Sequence, residues 1–324
     1  MLSPLLRFVC CCCLLALLGA CPLVPTDGPG AGEGEGEGEG GVAVPCLPNT
    51  NTEFGAPATN RTDRIGSAAT FEIGAWNIRN FPSNRGTTAT VADIISSLDL
   101  DLVSIEEIAD EGGFDELVAR LPEHEAVLST DTYSDGSYQK IGFVYRCGLL
   151  TPTNVSLIFT GDGFNFPRPP LQVKFHYDDG DNVFNFTAIA VHLKAQGDAD
   201  SVARRHDAFL SLAAYVDSIV ASGSEKIVIL GDFNERLDQN PGTTNWAPFL
   251  DGSKYVVRTQ ALADNGESSF IGSDAILDHI VTTTAFNAEV GAGTTIIPLV
   301  DSDVPNYRND VSDHRPVALI LRGL

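Results

Sequence analysis

Asp232 and Asn234 stand two residues apart in Gly231-Asp232-Phe233-Asn234, directly behind the apolar run Ile227 to Leu230. A short unbroken apolar run reads as a strand buried on both faces. Gly231 is taken to end that strand, which lets both polar side chains project the same way from its carboxyl end, a position suited to acting on a ligand. Further strand ends carry Asn77, Glu107, His192, Asp278, and Asp313 with His314. Together these groups offer oxygen ligands for a hard cation, imidazoles that can move a proton and amides that can hold an anion. Any one of them alone is explained as well by a turn or a solvated strand end.

Regular elements must bring these ends together. Phe71 to Asn77 alternates apolar with small or polar residues, and Leu102 to Ile108 is a second apolar strand. Between them Val91, Ile94, Ile95 and Leu98 recur at helical spacing, so the three form a strand–helix–strand crossover. Gly113 to Leu121 reads as a short helix stopped by Pro122, Ile141 to Arg146 as a strand, and Val183 to Leu193 as a longer strand carrying His192. Ser201 to Ser222 is a helix with Phe209, Leu212, Ala213 and Val216 on one face and Gly223 at its end. Ala275 to Thr282 and Pro316 to Leu321 are strand-like. No repeat or linker divides residues 66–324, which are therefore read as one domain.

The chain has 324 residues and a formal net charge of -23. This balance argues against a polyanion binder that works by counterion release alone, yet it leaves room for an enzyme that meets phosphate through a metal ion. Residues 1–20 read as an export signal whose apolar stretch is too short to span a bilayer. Leu18-Gly19-Ala20-Cys21 resembles the bacterial lipobox, which would make Cys21 a lipidated N-terminus and the protein an exported, membrane-anchored lipoprotein; simple secretion is the alternative. Residues 21–65, rich in Gly, Glu and Pro, read as a disordered tether. Cys46 and Cys147 then remain, either as one disulfide or as two buried thiols.

The ordered set Trp76-Asn77, Glu107, His192-Leu193, Gly231 to Asn234, Asp278 to Ile280 and Ser312 to Pro316 resembles the endonuclease/exonuclease/phosphatase superfamily with its deoxyribonuclease-I-like fold. The resemblance spans nearly all of residues 70–322. It implies an α/β four-layer sandwich, two mixed β-sheets packed face to face with helices on the outside, and a metal-dependent phosphodiester hydrolase. In that reading Glu107 is the main ligand of Mg²⁺ or Mn²⁺, with Asn77 and Asp313 completing or orienting the shell. His314 is the general base, Asp278 fixes its tautomer, and His192 hydrogen-bonds a phosphate oxygen or the leaving group. Asp232 orients or deprotonates the attacking water, and Asn234 contacts the phosphate. Lys194 is a candidate phosphate contact; Arg204 and Arg205 either reach a phosphate or line a solvated helix face. His279, beside Asp278, is read as structural, and His124, His176 and His206 as surface residues. One departure is Glu106, where the family commonly has Gln. No counterpart is evident for the active-site Tyr of the apurinic-site enzymes, and Tyr133 and Tyr138 are unassigned.

The expected substrate is nucleic acid, most simply DNA cut with little sequence preference by a monomer with no protein partner. A phosphatase or phospholipase-type diesterase acting on phospholipid or inositol phosphate head groups is the alternative. A catalytically silent surface binding module is the third.

Overall fold

Two crossovers dictate which strand ends share an edge of the molecule. The computed structural model describes residues 54–239 and 242–322. The export signal, Cys21 and most of the expected tether lie outside the described residues. Strand β1 (Thr70–Phe81) runs through helix α1 (Thr87–Leu98) into a parallel β2 (Leu102–Ile108), as the sequence predicts. Helix α2 (Glu111–Ala119), β3 (His124–Leu128), β4 (Lys140–Arg146), β5 (Leu150–Leu157) and β6 (Leu171–Asp178) follow. The second crossover joins β7 (Val183–His192) through α3 (Ala199–Ala221) to a parallel β8 (Ile227–Asp232). Strands β9 (Tyr255–Val257), β10 (Asp278–Thr283), β11 (Thr294–Ile296) and β12 (Val317–Arg322) complete the chain.

These strands form two mixed six-stranded sheets, ordered β11-β12-β1-β2-β4-β3 and β5-β6-β7-β8-β10-β9. Alternation along β1 sends Phe71, Ile73 and Ala75 into the core shared with the second sheet, and Trp76 and Ile78 into a core with α1. Aromatic rings fill the space between the sheets: Phe71 meets Phe186 at 6.1 Å and Phe143 meets Phe175 at 5.9 Å. Val91, Ile94, Ile95 and Leu98 of α1 are fully buried against β1 and β2. On the second sheet Phe209 of α3 packs on Phe233 and Trp246. The α/β sandwich implied by the resemblance is the observed fold.

Two details differ from the expectations, and a third decides between alternatives that the sequence leaves open for Cys147. Residues 54–65 have little regular structure, yet they are fixed to the domain. Ala58 N and Arg61 both bond Asp93, Arg61 N also bonds Ser97, and the Arg120 guanidinium lies 4.7 Å from the Phe54 ring centroid. His124 is buried, bonded to Leu100 O at 2.8 Å, where a surface residue was expected. Cys147 is disulfide-bonded, and since every other cysteine precedes residue 47, its partner lies outside the described residues. No helix among the described residues is long and apolar enough to cross a membrane.

Candidate active site

The parallel pairs β1/β2 and β7/β8 place Asn77 beside Glu106 and His192 beside Asp232 in register. Each sheet therefore delivers its polar residues at the same end. Asn77 joins them: its Nδ2 donates to Glu107 Oε1 at 3.2 Å in its own sheet and to Asp232 Oδ2 at 3.0 Å in the other. His192 Nε2 lies 3.7 Å from both Glu107 Oε1 and Asp232 Oδ2.

Strict alternation would turn Glu107 away from this cluster. Instead Glu107 has φ 64, and the β2 ladder shifts register between Ile105 and Ile108. This irregularity, of a kind common beside active sites, swings the Glu107 carboxylate to the strand end, where Asn80 N also donates to it at 3.0 Å. Glu106 consequently stays on the inter-sheet face beside Asn77. It is fully buried, both its oxygens lack partners, and burial pushes its carboxyl well above the usual range.

Gly231 does not end β8. It pairs with Val191 and His279 inside the sheet, and a Cβ there would sit 2.2 Å from Val191 O. Only glycine allows that approach, at φ 125. Asn234 lies beyond the strand in the left-handed region. Its N–H donates to Asp232 Oδ1 at 2.8 Å and its Nδ2 to Leu193 O at 3.2 Å.

The loop 312–314 is tied to β1 from behind. Ser312 Oγ donates to Asn77 O at 2.6 Å, and Trp76 Nε1 donates to the Tyr307 hydroxyl, which donates to His314 O at 2.6 Å. His314 Nδ1 donates to Asp278 Oδ2 at 2.8 Å, and Ser269 Oγ donates to the same oxygen at 2.6 Å. Burial disfavours charge on His314, but Asp278 and then Asp232 outweigh it and push its pKa up to about 10. The carboxylates around it thus favour the imidazolium form of His314 over the neutral ring that a resting general base requires. Burial, together with Asp278, raises Asp232 to about 7, although His314 and the hydrogen bond from Asn77 pull it down. His192 is driven well below its usual value by burial and by the charges of Arg168 and His314, so it is neutral.

A cavity of about 750 Å³ opens on this cluster and is lined by Glu107, His192, Asp232, Asn234, Asp313 and His314, among others. A larger one, about 1050 Å³, opens among Asp99, Asp101, Arg146 and Asp179 and holds none of them. Lys194 and Arg204 do not line the first of these cavities. Lys194 Nζ donates to Ala195 O at 2.9 Å, and Arg204 bonds Phe164 O. Arg205 does line it, but is buried in an ion pair with Glu235. His279 is buried in the core, bonded to Thr259 Oγ1 and Glu235 O.

Sequence reasoning missed Arg168, which is buried in the cavity wall with Nη2 donating to Leu193 O at 3.3 Å and Nε unpaired. An arginine held between prolines in Pro167-Arg168-Pro169-Pro170 was the available signal, since the flanking rings restrict the backbone. Gln139 and Asn80, bonded at 2.7 Å, form part of the rim.

For a divalent ion the donor chemistry fits. Glu107, Asp232 and Asp313 present carboxylates toward one cavity with no thiolate among them, a set suited to hard cations. Asn77 uses its Nδ2 on two carboxylates, and its Oδ1 accepts from Arg79 N at 2.9 Å, so it orients Glu107. Among the described residues the tightest group of potential ligands is Asp232, Asp278 and His314, with ligand atoms within 4.8 Å of one another. The Nδ1 proton on Asp278 marks this group as a hydrogen-bonded acid–base cluster.

Buried carboxylates, a neutral and a charged histidine and a buried arginine at the edge of a two-sheet sandwich define a phosphoesterase-like class of site. The chain belongs to the Endonuclease/Exonuclease/phosphatase family, whose sequence model matches residues 74–314. The family comprises phosphoesterases and nucleases that generally use divalent metal ions. The chain is 23% identical over 277 residues to Deoxyribonuclease-1 of Rattus norvegicus, covering 79% of this chain and 93% of that one. It resembles a crystal structure of humanized D. rerio TDP2 with a TM-score of 0.61 at 12% identity, over 79% and 100% of the two chains. It also resembles the mannosyl-6-phosphatase Bt3783 of Bacteroides thetaiotaomicron, with a TM-score of 0.59 at 14% identity over 78% and 100%.

Proposed function

We propose that the protein is a metal-dependent nuclease that hydrolyses DNA phosphodiesters with little sequence preference. The observation that carries this reading is the Asn77 amide bridging Glu107 and Asp232 beside His192, in a cavity walled by Arg168 and His314. Similarity to Deoxyribonuclease-1 over most of both chains supports DNA as the substrate.

Glu107 and Asp313 would hold Mg²⁺ or Mn²⁺, with Asn77 orienting Glu107; when bound, the ion supplies positive charge to the phosphate oxygens. Asp232, with its pKa near neutrality, takes the proton of the attacking water. Neutral His192 donates a hydrogen bond to a phosphate oxygen, and Asn234 steadies the same group. Arg168 offers a guanidinium to the phosphate from the opposite loop. His314, charged and held by Asp278, stabilises negative charge in the transition state or protonates the leaving oxygen. The protein is further proposed to be exported and anchored by a lipid at Cys21, a reading that rests on residues 1–21 of the sequence.

The test incubates the purified protein with plasmid DNA, RNA, and choline or inositol phospholipids, with Mg²⁺ and with chelator. Cleavage of DNA that chelator abolishes is expected. Release of phosphate or head group with both nucleic acids intact would replace the nuclease with a phosphatase or lipid diesterase.

A further inference from the structure

Phe164 stands out on the surface at 60% exposure, while the other aromatic rings among the described residues are half-buried or buried. Leaving a phenyl ring in water forgoes the gain of burying it, so what holds it there matters. The Arg204 guanidinium lies over the ring, 4.5 Å from its centroid, and also donates to the Phe164 carbonyl. The loop is pinned inside as well. Asp162 accepts from Asn165 N at 3.2 Å, and Phe166 is fully buried and stacked on Phe159 at 4.3 Å. The Phe164 ring is thus held against a cation while more than half of the residue's surface stays exposed.

Its place relative to the catalytic cavity follows from the chain. Arg168, four residues on, lines the cavity, and Arg205, next to Arg204, lines it too. Four residues span at most about 14 Å, roughly the rise of four stacked nucleotides at about 3.4 Å each.

We infer that Phe164, held by Arg204, is a stacking platform for a nucleobase of the substrate strand near the scissile phosphate. The inference deepens the nuclease reading and rests on it for its ligand. A flat aromatic face suits any base, because every base has a π-face, which accords with cleavage of low sequence preference. It also gives Arg204 a part in substrate binding through the ring it supports.

The experiment measures binding by fluorescence anisotropy in chelator, so that no strand is cut. The probes are an octathymidylate and a chain of eight abasic residues with the same phosphates. The wild-type protein should bind the base-bearing strand more tightly. Phe164→Ala should weaken that binding by about ten-fold, the scale of one lost base–aromatic stack, and change the abasic chain by less than about two-fold; Phe164→Trp should restore it. Since the ring is exposed, thermal unfolding of all three proteins should coincide. Equal losses on both strands, or no loss on either, would overturn the platform. DNA cleavage that persists in that case leaves the nuclease reading standing alone, whereas Phe164-dependent binding without any cleavage sinks the nuclease reading and keeps the platform.

Discussion

Arg205 Nε lies 2.8 Å from Glu235 Oε2, with both side chains buried between the loops that follow β7 and β8. The same guanidinium donates to Lys194 O and Gln196 O, and Asn245 Nδ2 donates to the same Glu235 oxygen. One ion pair therefore fixes the loops that carry Leu193 and Asn234. Arg205→Ala strands a carboxylate in the interior, and urea unfolding should show a loss of about 3 to 5 kcal/mol. A loss below 1 kcal/mol would mean that solvent replaces the pair.

Asp278 keeps the proton on His314. Asp278→Asn removes the charge that raises the His314 pKa to about 10, so that pKa falls. If the active form carries the proton, the alkaline limb of kcat/KM moves to lower pH, by about one unit or more. An NMR titration of the His314 ring checks the assignment directly, and an unmoved titration contradicts it.

Asp232 must lose its proton to act as base, so activity should rise as pH rises through about 7. Asp232→Asn should lower kcat by roughly two orders of magnitude or more and abolish that acid limb. Glu107→Gln should instead raise the metal concentration needed for half-maximal rate. A metal requirement left unchanged by Glu107→Gln would argue against the assignment of Glu107 as ligand.

Much of this site was legible because its residues sit at strand ends. The alternation of Phe71 to Asn77 and the apolar runs of β2 and β8 fixed direction, and two crossovers did the rest. Glu107 shows the limit: period-two reasoning puts Glu106 and Glu107 on opposite faces, but a local register shift decides where each carboxylate goes. For Arg168 the flanking prolines signal a stiff loop, but its place at the cavity depends on Phe166 packing on Phe159, which no local pattern shows. Leu171 to Asp178 alternates regularly and could have been read as β6. Pro152 and the polar residues of β5 masked that strand, which forms a sheet edge, where such residues are tolerated.

Far from the cavity, burial holds the Glu72 carboxyl up to about 8, with Asp101 and Asp99 adding to the shift. The folded state then binds more protons than the unfolded one between about pH 4.5 and 8, so this group's stabilisation is present below that window and is lost as pH rises through it. Glu72→Gln should change stability little at pH 5 and raise it by on the order of 2 kcal/mol at pH 9. Denaturant unfolding at both pH values checks this, and a gain at pH 5 alone reverses the sign.

Because Asn77 belongs to one sheet and Asp232 to the other, catalytic competence measures how the two halves of the sandwich are docked. A form that keeps its strands and helices but loosens the contacts between them would retain its far-ultraviolet dichroism. Turnover should therefore fade ahead of that signal during gentle acid or denaturant titration, making the enzyme its own reporter of tertiary order.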